Sequence, residues 1–269
     1  MSVTSADLAT RAPIWRTLLT GRLGQRLALL ALVVGIWSLG AMASPAYILP
    51  GPLSVAEAFV ELTQRPTFFA DVWATSFRVI TGFVAALCVG IPLGILFGSD
   101  RRIGGFFEPL LPILTTVSSA IWAIFAILWF GATDLATIFV VFMTAMPLVL
   151  MNTWQGTRGV SPELIEVALS FKYDNAAILR KIYLPSILPH VFSGARLAFG
   201  FGWRVSLVAE TLGASSGIGY RLRQSADLFQ ASQVFAWTFV MIGLMLALEM
   251  GLFRPLERHL FRWQRTRDL

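Results

Sequence analysis

Val79–Phe97 reads VITGFVAALCVGIPLGILF, a stretch without a charged residue that is long enough, as a helix, to cross the hydrocarbon core of a bilayer, for which about 20 apolar residues suffice. Similar runs recur at Leu27–Met42, Phe107–Phe130, Leu135–Met151, Val191–Leu212 and Val234–Phe253. In lipid every backbone N–H and C=O must be bonded within the protein, and a helix achieves this alone. The expectation is an all-α polytopic membrane bundle of about six helices. Composition agrees: 56% hydrophobic and 13% charged residues, with mean hydropathy +0.71, leave too little polar surface for a soluble domain.

The first run follows Arg11, Arg16, Arg22 and Arg26 and ends in Ala41-Met42-Ala43-Ser44, a pattern similar to a signal peptide with an A-x-A site. The long basic tail and the membrane character of every later run favour an uncleaved first span. The chain divides into an N-terminal tail (1–26), a membrane domain (27–253) and a basic C-terminal tail (254–269). After the first span, Ser54–Gln64 has the pattern of a short amphipathic helix capped by Ser54. Thr115, Thr116, Ser118 and Ser119 make a polar patch in the third run, which is expected to break or to line a cavity.

A formal charge of +6 invites a nucleic-acid reading, but the basic residues flank the apolar runs and form no patch interleaved with exposed aromatics. Nucleic acid is not an expected partner; the lipid bilayer is. With the N-terminus in the cytoplasm, that side receives the N-terminal arginines, Arg101, Arg102, Arg158, Lys172, Arg180, Lys181, Arg254, Arg258, Arg262, Arg265 and Arg267. The other side receives little beyond Arg65, Arg221 and Arg223. This positive-inside asymmetry puts both termini in the cytoplasm of a multi-pass plasma (inner) membrane protein. The single cysteine, Cys88, is read as a packing residue. Trp129, Trp154, Trp237 and Trp263 are read as anchoring and packing residues. His190 and His259 are isolated, so no metal site is expected.

Between the fourth and fifth runs lies a charged insert on the cytoplasmic side, Glu163–Pro189, ELIEVALSFKYDNAAILRKIYLPSILP. Ser161-Pro162-Glu163 combines a capping hydroxyl, a proline at the first helical position and a carboxylate in the first turn. Leu164, Ile165, Ala168 and Leu169 then share one side of a short helix. Asp174 is placed to cap a second one, through Ala176, Ala177, Ile178, Leu179 and Ile182, with Pro185 as its stop. Two such helices form a knob, read either as a loop lying on its own bundle or as a surface that touches something in water.

The insert resembles the cytoplasmic motif of ABC importer permeases: E-A-A, three residues, G, nine residues, I-x-L-P. Glu166, Ala168, Ile182, Leu184 and Pro185 stand at its positions, with Val167 at the middle alanine and Lys172 at the glycine. Leu49-Pro50-Gly51-Pro52, Ile91-Pro92-Leu93-Gly94, Leu128-Trp129-Phe130-Gly131, Val160-Ser161-Pro162-Glu163-Leu164 and Val208-Ala209-Glu210 extend the likeness to the nitrate, sulfonate and taurine group. The third span of that group is usually proline-rich; here Thr116, Ser118, Ser119 and Ile124 stand instead.

The resemblance implies a permease subunit, not an enzyme, that works as a homodimer around one path. ATPase subunits dock on the cytoplasmic side, ATP and magnesium belong to that separate chain, and a soluble substrate-binding protein serves the other side. It implies coupling through Glu163, Leu164, Glu166, Ala168, Leu169, Lys172, Asp174, Ala176, Ile182, Leu184 and Pro185. Lys172 marks a departure with a physical meaning: a turn between two short helices commonly needs positive φ, which costs a non-glycine residue roughly 1 kcal/mol. Either Lys172 accepts that strain or the turn shifts toward Asp174 or Asn175.

Gly213-Ala214-Ser215-Ser216-Gly217-Ile218-Gly219 resembles the nucleotide-binding turn of short-chain dehydrogenases. Such a turn binds a dinucleotide only between a strand and a helix; here it follows a membrane run, and no Tyr-x-x-x-Lys pair exists. A turn or re-entrant segment is the favoured reading, and no cofactor is expected. No phosphate loop of the G-x-x-x-x-G-K-[ST] type is present, so ATP hydrolysis on this chain is not expected. A secondary transporter or channel is the remaining alternative, disfavoured by the coupling motif and the scarcity of intramembrane carboxylates.

Arg204 and Glu210 fall in the fifth run, where a charge costs roughly 2.5–3.5 kcal/mol and normally faces a cavity or a partner. Six residues of helix turn them well apart. Arg204 is read equally as an anion contact along the path or as a residue that snorkels or pairs; Glu210 is read as ordering the outer end of its span. Thr115, Thr116, Ser118, Ser119 and Trp122 complete the path candidates.

Overall fold

The computed structural model describes residues 22–260. Arg11, Arg16, Arg262, Arg265, Arg267 and Trp263, named above, lie outside the described residues. Helix α1 is Arg22–Ala43, α2 Pro52–Gln64, α3 Phe68–Ser99, α4 Arg101–Phe107, α5 Leu110–Thr116, α6 Ser119–Phe130 and α7 Asp134–Arg158. Two short helices follow, α8 Pro162–Ser170 and α9 Asn175–Ile178, and a π-helical turn at Leu179–Tyr183 leads into α10, Leu184–Gly213. Then come α11 Ile218–Asp227, α12 Ala231–Leu248, a second π turn at Glu249–Phe253 and α13 Arg254–Leu260. All regular elements among the described residues are helical.

Four helical stretches are long and apolar enough to cross a membrane, five if α5 and α6 count as one span. The sixth expected span is α10, long enough at 30 residues but diluted by His190, Arg196, Arg204 and Glu210. Helix α12 runs without interruption to Leu260, so 254–260 continue the last helix. Helix α2 begins two residues before the expected start, with Pro52 in its first turn. Ser54 is no cap there; its hydroxyl donates back to Gly51 O at 2.8 Å. Cys88, read as a packing residue, is exposed on the outer face of α3.

Pro185 does not stop its helix. The π turn just before it shifts the hydrogen-bond register, Leu184 N–H bonding Leu179 O, and Pro185 then sits in the first turn of α10, where its missing N–H costs little.

The core is a three-helix wedge, α7 between α3 and α10. Along α3 a small residue recurs every four positions, Gly82, Ala86, Gly90, Gly94 and Gly98, which places them on one face. That face lies so close to α7 that a Cβ built on Gly94 would sit 2.6 Å from Thr153 Cβ, and one on Gly98 2.3 Å from Thr157 Cβ. In lipid no hydrophobic effect drives helices together, so close backbone approach and van der Waals contact hold this seam. Phe83, Phe199 and Phe253 meet beside it, with Phe199 and Phe253 ring centroids 4.8 Å apart. Trp203 and Trp237 are buried, whereas Trp129 is mostly exposed.

Candidate functional site

Three features stand out along the wedge: a knob at one end, an ion network at the other and, between them, a mostly apolar cavity with hydroxyls on one wall. Helix α7 spans 25 residues, about 38 Å at 1.5 Å per residue, and it separates the first two. Asp134 at its start joins the network; the knob follows its end at Arg158.

The knob is α8 and α9. Pro162 opens α8, and Asp174 caps α9 by accepting Ala177 N–H at 3.1 Å. Ser161 makes no cap bond to the backbone; its hydroxyl donates to the Glu163 carboxylate. That bond, with the backbone N–H of Glu163, holds the carboxyl below its ordinary value. Between the helices Lys172 adopts φ +58, so this lysine accepts the conformation that favours glycine. Lys172 N–H bonds Leu169 O at 2.8 Å and Tyr173 N–H bonds Ala168 O at 3.1 Å, the paired bonds of a Schellman motif.

Ala168 and Ile178 are buried inside the knob. Leu164 (53%), Val167 (54%), Leu169 (53%) and Phe171 (74%) are exposed, and Glu163, Glu166, Lys172, Asp174, Ala176 and Pro185 are exposed with them. Leu184 is exposed as well and Ile182 is half-buried. Such an apolar display on a polar segment has the pattern of an interaction surface. Lys172→Gly should keep the turn and raise thermal stability slightly, while Lys172→Val, β-branched at positive φ, should unravel it. Limited proteolysis across Phe171–Asp174 reads the difference: protection in the first variant, rapid cleavage in the second.

The network centres on Arg78 and Glu210, 3% and 0% exposed. Four hydrogen bonds and a further ion-pair contact hold the guanidinium. Nη1 bonds Glu210 Oε1 at 2.8 Å and Ser216 O at 2.7 Å, Nη2 bonds Ser216 Oγ at 2.8 Å and lies 2.6 Å from Asp134 Oδ1, and Nε bonds Asp134 Oδ1 at 2.7 Å. Glu210 Oε2 accepts Thr75 Oγ1–H at 2.9 Å and Gly219 N–H at 2.8 Å. Asp71 accepts Gly217 N–H at 3.0 Å and Arg221 Nε–H at 2.7 Å.

The dehydrogenase-like string is thus a cradle for a carboxylate of its own chain. Gly217, at φ +104, has no room for a Cβ, which would meet Glu210 Oε2 at 2.7 Å and Arg78 Nη1 at 2.8 Å. Glu210 is fully enclosed and orders the end of α10. Arg78 escaped the sequence reading because it stands one residue before the uncharged run. Its signal was the spacing of Asp71, Thr75, Arg78 and Gly82, one helical face.

The cavity lies at the break between α5 and α6, which meet at 87°. Thr115, Thr116, Ser118 and Ser119 line it with Thr144, Pro147, Phe201 and Val205, enclosing about 290 Å³. Thr115 and Thr116 donate back to carbonyls of their own helix, which leaves their oxygens as acceptors. Ser118 caps α6, accepting Ala120 N–H at 3.4 Å. Trp122 sits one turn further on, stacked edge-on against Phe139. Arg204 lies next to Val205 and one turn from Phe201. It is exposed and has no hydrogen bond or ion pair among the described residues.

The sequence pattern described as "Binding-protein-dependent transport system inner membrane component" matches residues 90–263. The chain belongs to this family. It is 33% identical to a protein named as an aliphatic sulfonates transport permease in Bacillus subtilis (strain 168), over 89% of this chain and 87% of that one. It is 27% identical to the taurine transport system permease protein of Escherichia coli (strain K12), over 95% of each chain. A bicarbonate transport system permease protein of Synechococcus elongatus is 33% identical over 77% of this chain and 78% of its own. The inward-facing MetNI methionine ABC transporter contains a chain that superposes with a TM-score of 0.64 at 16% identity, covering 71% of this chain and 95% of that one. That likeness shows the fold: an ABC transporter permease bundle. The protein is the permease subunit of an ABC importer and a multi-pass membrane protein.

Proposed function

We propose that this permease carries a small organic or inorganic anion inward, driven by a separate ATPase chain that grips the α8–α9 knob. The observation that carries the reading is the knob itself: a pair of short helices closed by a hydrogen-bonded turn, four exposed apolar side chains, and the motif residues Glu166, Ala168, Ile182, Leu184 and Pro185 at family spacing. ATP and magnesium are handled by the ATPase. The permease works as a homodimer in the inner membrane, both termini and the knob in the cytoplasm, with a soluble binding protein on the far side. Positive charge clustered at the knob end supports that orientation.

The path runs along the α5–α6 break, where the hydroxyls of Thr115, Thr116, Ser118 and Ser119 meet the solute, and Arg204, outside the cavity lining but beside its Val205, meets the solute as it passes. An unpaired arginine at membrane depth is stable only beside a partner, water or an anion, and the three relatives named above take, by their names, sulfonates, taurine and bicarbonate.

Reconstituted with its ATPase, the Glu166→Arg variant should lose at least tenfold in uptake, through failed docking or uncoupled hydrolysis. Normal assembly and normal uptake would remove the knob from the mechanism. Arg204→Gln should raise the KM for a transported sulfonate about tenfold and leave basal ATPase activity alone; an unchanged KM removes the anion contact.

A further inference from the structure

We infer that the turn at Leu228–Gln230, led by the ring of Phe229, is the surface on which the soluble binding protein docks. The inference rests on the importer reading above and adds the contact residues to it. Among described residues only Lys172 and Phe229 combine a side chain with positive φ, +58 and +56. Both close a helix the same way: Phe229 N–H bonds Ala226 O at 3.0 Å and Gln230 N–H bonds Ser225 O at 2.9 Å, a Schellman end in which glycine is the favoured residue.

A bulky ring retained at such a position, and 80% exposed, is an outlier that points to use. Lys172 sits on the knob at one end of the bundle. Phe229 sits at the other, two residues after α11.

The surroundings define the partner. Phe229, Tyr47 and Ala231 are shared by two adjoining depressions of about 250 and 450 Å³. Tyr47 is 64%, Ile48 60% and Leu228 60% exposed, so the apolar centre is wide. Glu57 and Glu61 line the larger depression. Glu61 is paired with Arg65, and Asp227 beside the turn faces Arg223 at 3.6 Å; Glu57 has no ion-pair partner among the described residues.

An aromatic turn with one unpaired carboxylate, Glu57, at its edge and its other carboxylates paired with Arg65 and Arg223 is poorly suited to a phosphate-rich lipid surface. It suits a protein that offers an apolar socket edged by lysine or arginine. The family's transport depends on a binding protein, and that partner arrives from this side. Helix α11, which ends at the turn, is tied at its start to Asp71, Thr75 and Glu210, so one helix joins Phe229 to the ion network.

The test uses the permease–ATPase complex in nanodiscs and the purified binding protein of the same transport system. Phe229→Gly relaxes the backbone, so thermal stability should hold or rise while affinity for the binding protein falls at least tenfold. Phe229→Tyr should keep the affinity, and Glu57→Lys should lower it and flatten its dependence on salt. Unchanged affinity in Phe229→Gly overturns the inference and leaves the importer reading intact. A wild-type complex that the binding protein neither binds nor stimulates overturns the importer reading itself. A fluorophore on Phe229→Cys, in a Cys88→Ser background, should respond to the binding protein. Quenching by brominated lipid without that response would make the turn a membrane anchor and overturn the docking role.

Discussion

Replacing Arg78 by methionine should lower the apparent unfolding temperature in detergent by on the order of 10 °C, and adding Glu210→Gln should return more than half of that loss. Removing one member of a buried pair leaves the other charge uncompensated, at about 3–5 kcal/mol, and each kcal/mol shifts the midpoint of a protein this size by roughly 2–4 °C. Without the guanidinium, Glu210 retains only Thr75 and Gly219 N–H as donors, at 0% exposure. Glutamine at 210 keeps an oxygen for those two donors and removes the stranded charge.

Ser216 and Asp134 lose Arg78 in both variants, so recovery stays incomplete. The cycle of two single variants and the double, read by thermal melts, isolates the coupling. Additive losses would mean that Arg78 and Glu210 act separately, and the network would then be a set of independent contacts.

Most of the bundle was legible in the sequence because lipid imposes a simple rule: long uncharged runs must be helices. The rule also caused the misses. Ending a span where charge begins cut α3 at Val79 and hid Asp71, Thr75 and Arg78, although their spacing continues the buried face of the helix. It also closed the last span at Phe253, while the helix continues to Leu260 through a π turn.

Pro185 was misread for a related reason. Proline stops a helix where its missing N–H is needed and its ring meets the carbonyl one turn back, and the π turn at Leu179–Tyr183 had already changed who bonds to whom. The knob was readable because caps and charges there obey the rules of water. Its turn stays open in the sequence between strain at Lys172 and a shift toward Asp174 or Asn175; Lys172 takes the strain at φ +58, while Asp174 caps α9 and Asn175 begins it. The ion network could not be assembled from sequence, because its members lie up to 150 positions apart and nothing local announces their meeting. The string Gly213–Gly219 reads as a turn or re-entrant segment, and nothing in it names the group it encloses, which proves to be Glu210.

Gly98→Ala should uncouple transport more severely than any single change on the exposed face of the knob. Gly98 packs against Thr157 in the last turn of α7, immediately before the chain leaves for α8, and an added Cβ would stand 2.3 Å from Thr157 Cβ and 3.0 Å from Trp154 O. Ordinary carbon contacts lie near 3.5–4.0 Å, so the two helices must part by more than an ångström or twist. Either motion moves the root of the knob relative to α3, and a docked ATPase could no longer transmit its closure to the wedge.

The expected result is assembly with the ATPase, hydrolysis that no longer responds to the binding protein, and uptake reduced at least tenfold. Thr157→Gly removes the very atom in the way and should restore coupling, less a cost of about 1 kcal/mol for glycine inside a helix. Thr157→Ala leaves that Cβ in place and should restore nothing. Equal rescue by both would mean that the seam tolerates the methyl by bending, and that coupling reaches the wedge by another route, through α10.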